Sequence, residues 1–291
     1  MTKLITLIDA GAAQGCIAGL IALGIVLLYK TTGVVNFAQG SLLTLGAYVG
    51  VWLIVEHGVP TVPAYLIAVL AVFAVGVVIE RIGYAPLRRH PLLTILISTF
   101  AINSGLEAII IIWQGTNPKT LPSPFGNSVW HLSGAAIPKQ NALIFGATAV
   151  LVVAIVVFLQ RTSPGRQVRA LAADRETASL QGIRVVRLSI LMFGISAALA
   201  GFGGLLVVPT ISLSPNVGFS LLLSSFAAVV LGGFDRVGGT VEIAVAVGIV
   251  TQLLTAYVAP SLSQAWPYMI LLIALMLRPQ GLLKGVTSVR Y

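Results

Sequence analysis

The residues of this 291-residue chain that could take part in catalysis are few and widely separated. His57, His90 and His131 have no Cys or carboxylate neighbours at the spacing that metal ligands need. The sequence has no Gly-x-x-x-x-Gly-Lys-Ser/Thr run, so it offers no P-loop for nucleotide phosphates. Because acid, base, nucleophile and metal-ligand residues do not cluster, the pattern argues against an enzyme. We predict no catalytic residue, no metal site and no cofactor, ATP included.

Polar side chains inside long apolar stretches are a second class of candidate. They are costly where they face lipid, so they indicate either a solute path or hydrogen bonds between helices. Either role is open for a single residue. Glu107 differs, because a carboxylate inside a span must be paired, protonated or in contact with water. The set predicted to line a translocation path is Asn36, Gln39, Gly40, Ser41, Asn103 and Glu107, with Thr251 and Gln252 as further polar interruptions.

One long polar segment, Ser163–Ile183, separates two apolar runs and is rich in arginine. Ser163 before Pro164 predicts the start of one helix, Asp174 predicts the start of another, and Gly182 predicts a left-handed stop. Each helix has an apolar side, formed by Val168, Leu171 and Ala172 on the first and by Ala178, Leu180 and Ile183 on the second. The pair could dock in a groove of a partner protein or lie on anionic lipid. The small, alanine-rich face favours the protein partner.

The composition places the chain among membrane proteins. Apolar residues make up 57% of the sequence, charged residues 9%, and the mean hydropathy is +1.01. Apolar runs recur from end to end, so we expect a single transmembrane domain over residues 1–291. The net charge is +9, and the basic residues cluster in the loops between the apolar runs, as they do in oriented membrane proteins. This distribution argues against nucleic-acid binding. Nothing resembles a cleaved signal peptide, and Cys16, the only cysteine, excludes an intrachain disulfide.

The apolar runs predict an all-α, polytopic membrane protein with eight or nine transmembrane helices, because about 20 apolar residues cross a bilayer. Gly11, Gly15 and Gly19 form a small-residue ridge that lets another helix approach the first span, and Gly201–Gly204 indicates similar close packing. The candidate spans are 10–29, 36–55, 62–79, 92–113, 141–159, 188–208, 217–233, 241–258 and 266–277.

The distribution of cations predicts the orientation of these spans. Of the 17 Lys and Arg residues, only Lys3, Lys119 and Lys139 fall on one side, and the other 14 fall on the opposite side. The positive-inside rule therefore puts the amino terminus outside and the carboxyl terminus in the cytoplasm. Residues 160–187 become a cytoplasmic loop, and the Pro- and Gly-rich residues 114–140 become an external loop over the mouth. Four tryptophans fall near the external face, where indole rings favour the interface: Trp52, Trp113, Trp130 and Trp266.

Four stretches in register resemble the permeases of branched-chain amino acid ABC importers. Three are Gly33–Gly40 followed by Leu45–Tyr48, Ala228–Gly233, and Arg278–Leu283. The fourth resembles the family's ATPase-coupling loop at Gly165, Arg166, Arg169, Ala170, Asp174, Ala178, Leu180, Gly182 and Ile183. The chain departs from the family pattern after Gly233, where the family continues with a Gly-x-x-x-Gly segment. This chain has Asp235–Arg236 and then Gly239–Glu242, with an acidic residue in place of a small one.

The resemblance implies a transport subunit rather than an enzyme, in a bacterial inner membrane. Its implied partners are a sister permease, two cytoplasmic ATPase subunits that bind the ATP, and an external solute-binding protein. The implied solute is a branched-chain amino acid, although urea, amide and other amino acid importers share these motifs. The residues also leave another class open, a self-sufficient secondary transporter or channel that uses Glu107 or Glu242 as an ion relay.

Overall fold

A computed structural model of the chain describes residues 2–88, 90–126, 128–132, 135–234 and 237–277. Within them the chain folds into a bundle of long apolar helices, with two short helices packed on one end. Several residues used for the sequence interpretation lie outside the described residues: Arg89, Asp235, Arg236, and the segment 278–291 with Arg278, Lys284 and Arg290.

The helices follow one another along the chain with few other elements between them. They are α1 (Thr2–Thr32), α2 (Gln39–Val51), α3 (Thr61–Ile79), α4 (Leu92–Gln114), α5 (Lys139–Arg161), α6 (Ser163–Ala173), α7 (Arg175–Leu180), α8 (Val185–Val207), α9 (Val217–Gly232), α10 (Val237–Tyr257) and α11 (Trp266–Leu277). α2 continues into a π-helical turn over Trp52–Glu56. α3 continues into another over Glu80–Tyr84 and then a 3₁₀ turn over Ala85–Leu87.

α1 lies at the centre of the bundle, in contact with α5, α8, α9 and α10. Glycines set its distance from α10, because a Cβ added at Gly15 would lie 2.5 Å from Val245 Cα and one at Gly11 would lie 2.7 Å from Ile249 Cα. α2 approaches α8 equally closely, with a Cβ at Gly46 only 2.5 Å from Gly201 Cα. Without a strong hydrophobic drive between helices in lipid, such backbone approach supplies much of the packing. The predicted packing role of Gly11, Gly15 and Gly201 is confirmed.

Among the described helices, seven are long and apolar enough to cross a bilayer. They are α1, α2 with its π-helical turn, α3 with its π-helical and 3₁₀ turns, α4, α5, α8 and α10. α9 and α11 are apolar but shorter, with 16 and 12 residues. The nine helices coincide in order with the nine predicted spans, so the helical, multi-pass architecture is confirmed. α1 is longer than predicted: its 31 residues extend over roughly 46 Å at 1.5 Å per residue.

The segment predicted as an external loop contains the main exception to the all-α prediction. β1 (Val129–Leu132) and β2 (Ala135–Pro138) pair antiparallel, with Trp130 opposite Ile137. Val, Trp and Ile favour a pleated, half-buried surface, which accounts for a short hairpin in this Pro- and Gly-rich segment. The hairpin leads directly into α5, which begins at Lys139.

Candidate functional site

The polar segment forms two helices, α6 and α7, that meet at Asp174 on one end of the bundle. Asp174 caps α7 as predicted, because its Oδ1 accepts hydrogen bonds from the backbone N–H groups of Glu176 (2.9 Å) and Thr177 (3.1 Å). The hydroxyl and the backbone N–H of Thr177 hold the pKa of the Asp174 carboxyl below its usual range. Gly182 has φ +82°, so the predicted left-handed stop is confirmed.

The start of α6 differs from the prediction by one residue. Thr162, not Ser163, is the N-cap, because its Oγ1 accepts a hydrogen bond from the backbone N–H of Gly165 at 3.1 Å. Ser163 is the first helical residue, and Pro164 follows it in the first turn, where a missing N–H costs nothing. Two hydroxyl residues precede the proline, and the extended backbone of Thr162 (φ −91°, ψ 157°) makes it the cap.

The apolar sides of α6 and α7 pack largely on this chain. A Cβ at Gly165 would lie 2.6 Å from Leu159 Cα and would overlap the carbonyl oxygen of Phe158, so α6 rests directly on the end of α5. Val168 and Leu171 of α6 and Ala178 of α7 are buried within this chain. In this conformation the three residues pack within this chain, and their part in docking to a partner stays a prediction. The remaining residues of the two apolar sides divide by exposure: Ala170 and Ile183 are half-buried, and Ala172 and Leu180 are exposed.

Three predicted docking residues remain on the outer surface of the helix pair. Leu180 is 83% exposed, which is unusual for an apolar side chain on a polar helix. Arg166 and Arg169 are exposed as well, and their guanidinium groups reach the carbonyl oxygens of Arg161 (3.3 Å) and Gln160 (3.5 Å) at the end of α5. The outer surface thus offers one apolar side chain and two cations on a helix pair that the bundle holds in place.

Arg175 ties α7 to the centre of the bundle. Its Nη1 donates a hydrogen bond of 3.0 Å to the carbonyl oxygen of Thr32, the last residue of α1, and the hydroxyl of Tyr84 approaches the same oxygen at 3.4 Å. Carbonyl groups at a helix carboxyl end lack helical partners and favour cations. Sequence reasoning missed this contact, because no local pattern connects residue 175 with residue 32.

A buried ion pair lies close to Arg175. Glu80, which is fully buried in the π-helical turn after α3, pairs with Arg88. Burial, and to a smaller extent the charge of Arg175, lowers the pKa of the Arg88 guanidinium. The second carboxylate oxygen of Glu80 has no hydrogen-bond partner among the described residues. The Glu80–Arg88 pair is thus packed into the end of the bundle, whereas Asp174, Arg175 and Glu176 of the helix pair are exposed.

The polar residues predicted to line a path are mostly buried between helices of this chain. Gln39 of α2 donates a 2.9 Å hydrogen bond to the carbonyl oxygen of Ser196 in α8, and Asn103 of α4 accepts one from the backbone N–H of Ser41 at 3.2 Å. Asn36 accepts a 3.0 Å bond from the backbone N–H of Ala38. In this conformation these side chains form hydrogen bonds between and within helices. Their role in a solute path stays a prediction.

Gly40 and Glu107 complete the predicted path set, and they differ in environment. A Cβ at Gly40 would lie 2.8 Å from the carbonyl oxygen of Gly218, so the glycine permits close contact between α2 and α9 of the same chain. Glu107 of α4 is half-buried and makes no hydrogen bond or ion pair with any described residue. The structure brings Asn36, Gln39, Gly40, Ser41 and Asn103 together around the start of α2, with Glu107 one helical turn beyond Asn103.

A partly open cavity of about 1050 Å³ lies at the end of the bundle opposite α6 and α7. α1, α5, α9, α10 and α11 form its walls, together with the α8–α9 connection and part of the predicted external loop. Lys119 fixes that loop: its backbone N–H and carbonyl pair with Leu213, and its Nζ donates to Glu56 Oε1 at 2.7 Å. The sequence predicted a loop over the mouth and a polar Gln252, but it did not single out Gln14, whose only signal is a lone amide in an apolar run.

The comparison with protein families decides the identity of this bundle. Residues 7–277, from α1 to α11, match the model of the branched-chain amino acid transport system / permease component. The chain belongs to this permease family. Membership favours a transport subunit over the self-sufficient transporter that the sequence left open.

Two curated permeases of branched-chain amino acid systems cover almost the whole chain. The high-affinity branched-chain amino acid transport system permease protein LivH of Salmonella typhimurium is 30% identical, over 94% of this chain and 93% of that protein. The corresponding protein BraD of Pseudomonas aeruginosa is 28% identical over the same shares. The resemblance drawn from the four sequence stretches is confirmed.

A solved structure shares the fold of this permease at low sequence identity. A chain of PsaBC from Streptococcus pneumoniae, solved in complex with Fab, superimposes with a TM-score of 0.51 and 13% identity, over 93% of this chain and 91% of that chain. The overall fold of the permease is therefore shared by a chain of low sequence identity.

Proposed function

We propose that this chain is the permease subunit of an ATP-driven importer that moves a branched-chain amino acid into the cytoplasm. The observation that carries the proposal is the family match over residues 7–277 together with relatives of that transport class over 94% of the chain. No nucleotide-binding motif is present in the sequence, so ATP would be bound and hydrolysed by separate subunits.

The docking surface for those ATPase subunits is the outer side of α6 and α7. Two features support this assignment. Leu180, Arg166 and Arg169 stay exposed, and the segment contacts the bundle at two points, through Gly165 on α5 and through Arg175 on α1. A displacement of α7 by the ATPase subunit would therefore be passed directly to the carboxyl end of α1 through Arg175.

The remaining assembly follows from the proposed transport class. The partners are a sister permease, two cytoplasmic ATPase subunits and an external solute-binding protein, and the location is the inner membrane of a bacterium. α9 and α11 would add to the seven long helices to give nine spans, with the amino terminus outside. Two features support this orientation. Lys30, Arg81 and Arg88 share one end of the bundle with α6 and α7. Trp52 and Trp113 lie at the other end, with their ring centroids 5.8 Å apart.

The path for the solute would run beside the start of α2. The residues assigned to it are Asn36, Gln39, Gly40, Ser41, Asn103 and Glu107. Glu107 supports the assignment most directly, because a half-buried carboxylate without a partner in the described part of the chain requires contact with water. The hydrogen bonds of Gln39 and Asn103 would have to rearrange when the path opens.

The test uses leucine uptake by the chain expressed with and without its ATPase and binding-protein partners. Leu180→Asp should leave the amount of membrane-inserted chain unchanged, because an 83% exposed side chain adds little to folding, but should strongly reduce uptake by placing a charge in the docking surface. Leu180→Met, the matched control, should retain uptake. Leucine uptake by the chain alone, or full uptake in Leu180→Asp, would contradict the proposal.

A further inference from the structure

The cavity opposite α6 and α7 lies apart from the proposed path, and its size, its mixed polar and aliphatic walls and its uncharged lining distinguish it. It is large enough for a small solute together with water, because ligand pockets commonly occupy about 300–1,000 Å³ and this one has about 1050 Å³. Its walls alternate hydroxyl and amide side chains with aliphatic ones. None of the described residues that line it is Asp, Glu, Lys, Arg or His.

Gln14 is the most informative side chain in the wall. α1 is buried along most of its length, and its neighbours Ala13 and Gly15 are buried, yet Gln14 is exposed and lines the cavity. Its amide makes no hydrogen bond to any described residue. An unbonded amide inside a span is unfavourable against lipid, so Gln14 requires water or a polar ligand beside it.

A second amide lies close to the first. A Cβ at Gly11 would be 3.1 Å from the Cβ of Gln252 on α10, and Gln14 lies one helical turn along α1 from Gly11. Gln252 also lines the cavity and makes no hydrogen bond to a described residue. Two free amides near each other offer both donors and acceptors, which suits a group that carries either a carboxylate or an amide.

α9 contributes acceptors on another wall. The hydroxyl of Ser224 donates to the carbonyl oxygen of Ser220 at 3.1 Å, and that of Ser220 donates to the carbonyl oxygen of Val217 at 2.9 Å. Each proton is directed to a carbonyl oxygen of the helix, which leaves the two oxygens as acceptors; the Ser224 hydroxyl also hydrogen-bonds Tyr268, and both serines line the cavity. Leu121, Ile144 and Leu221 provide aliphatic surface in the same space.

We propose that this cavity binds a small solute without net charge, zwitterions included, that has a polar end and an aliphatic body. Gln14 and Gln252 hold the polar end, Ser220 and Ser224 accept its donors, and the aliphatic side chains cover its body. A solute with net charge is disfavoured, because no described lining residue supplies the opposite charge, the neighbouring carboxylate of Asp9 accepts a hydrogen bond from Asn141, and an unpaired charge at membrane depth is costly. The site lies within a single permease chain and deepens the proposed function, on which its assignment to leucine rests.

The experiment uses the complete transporter in proteoliposomes and measures uptake of radiolabelled leucine. Gln14→Leu and Gln252→Leu should each lower uptake roughly two- to tenfold, which is the loss expected when one neutral hydrogen bond is removed. Gln160→Leu is the matched control, since this exposed glutamine lies outside the cavity on α5, and its uptake should not change.

A second measurement does not depend on transport. Ser224→Cys in a Cys16→Ala background should react with a small neutral thiol reagent, and saturating leucine should slow that reaction, whereas arginine and glutamate should not. This variant also decides the question if the glutamine variants do not insert. Equal protection by arginine would overturn the charge selectivity, and a cysteine that reacts at the same rate with and without leucine, or not at all, would overturn the site.

The two measurements separate failure of the cavity from failure of the proposed substrate. If the unaltered transporter takes up leucine but the variants behave like the control and leucine gives no protection, the cavity proposal alone is wrong. If the unaltered transporter takes up no leucine but leucine still protects Ser224→Cys, the cavity proposal stands and the proposed transport of leucine falls. Absence of both uptake and protection contradicts both.

Discussion

Two glycines in the segment that joins α5 to α8 are required for different physical reasons. Gly165 has no room for a side chain, because backbone atoms of Phe158 and Leu159 occupy the place of its Cβ. Gly182 has open space around it but adopts φ +82°, a conformation that residues with a Cβ disfavour. The same substitution should therefore have unequal effects at the two positions.

We expect Gly165→Ala to lower the free energy of unfolding by roughly 1–3 kcal/mol, the usual cost of overpacking, because backbone cannot move aside as a flexible side chain can. Gly182→Ala should cost about 1 kcal/mol, and Gly182→Asn less, because Asn tolerates the left-handed region. Thermal unfolding of the detergent-purified chain measures the order. Gly146→Ala on α5 is the control, since nothing lies within 4 Å of its Cβ position. A Gly165→Ala variant as stable as the control would contradict the packing seen at this contact.

At the scale of elements, the sequence predicted the order of the nine apolar helices because each carries its own composition signal. The caps of α7 were predictable for the same local reason: Asp174 and Gly182 act on their immediate neighbours. The direction of the α6 apolar side was not predictable. Val168 and Leu171 suit a partner's groove as well as they suit α5, and only the close approach at Gly165 decides between them. The bond from Arg175 to Thr32 likewise joins residues 143 positions apart.

The tie between α7 and α1 leads to a prediction about coupling. Arg175→Ala removes the donor that holds the carboxyl end of α1, so ATP hydrolysis should continue while the solute moved per ATP falls, roughly fivefold for about 1 kcal/mol of lost coupling. Arg175→Lys should retain part of the coupling, since an ammonium can still donate to the Thr32 carbonyl. Parallel measurement of leucine uptake and ATP hydrolysis in proteoliposomes gives the ratio.

Arg184→Ala is the control for this prediction, because Arg184 is exposed near the same end of the bundle and its side chain contacts no described residue through a hydrogen bond or ion pair. An unchanged ratio in Arg175→Ala, or an equal loss in Arg184→Ala, would show that the contact with Thr32 does not transmit motion.

At the scale of the whole molecule, burial is distributed unevenly among the helices. α1 and α8 are largely enclosed by other helices, whereas α3, α4 and α5 bury only about a quarter of their apolar stretches within the chain. Exposed side chains such as Leu70 on α3, Ile112 on α4 and Val150 on α5 are compatible with lipid or with a second permease, but not with water. The centre of the bundle is thus fixed by this chain alone, and its outer helices remain available to the membrane or to a sister subunit.

The direction in which the molecule crosses the membrane follows from its charges and gives the last prediction. One end of the bundle carries most of the cations, namely Lys30, Arg81, Arg88 and the arginines of α6 and α7. The hydrogen bond from Arg175 to Thr32 joins α7 to α1 at this end. Cations are retained on the cytoplasmic side, so Ser179 on α7 should lie inside and Ser128, before β1, outside. In intact cells, an impermeant maleimide should label Ser128→Cys, whereas Ser179→Cys should react only after the membrane is permeabilised. The unaltered chain is the control, because Cys16 is buried and should stay unlabelled. Labelling of Ser179→Cys from outside, with Ser128→Cys protected, would invert the molecule and place the proposed docking surface on the side without ATP.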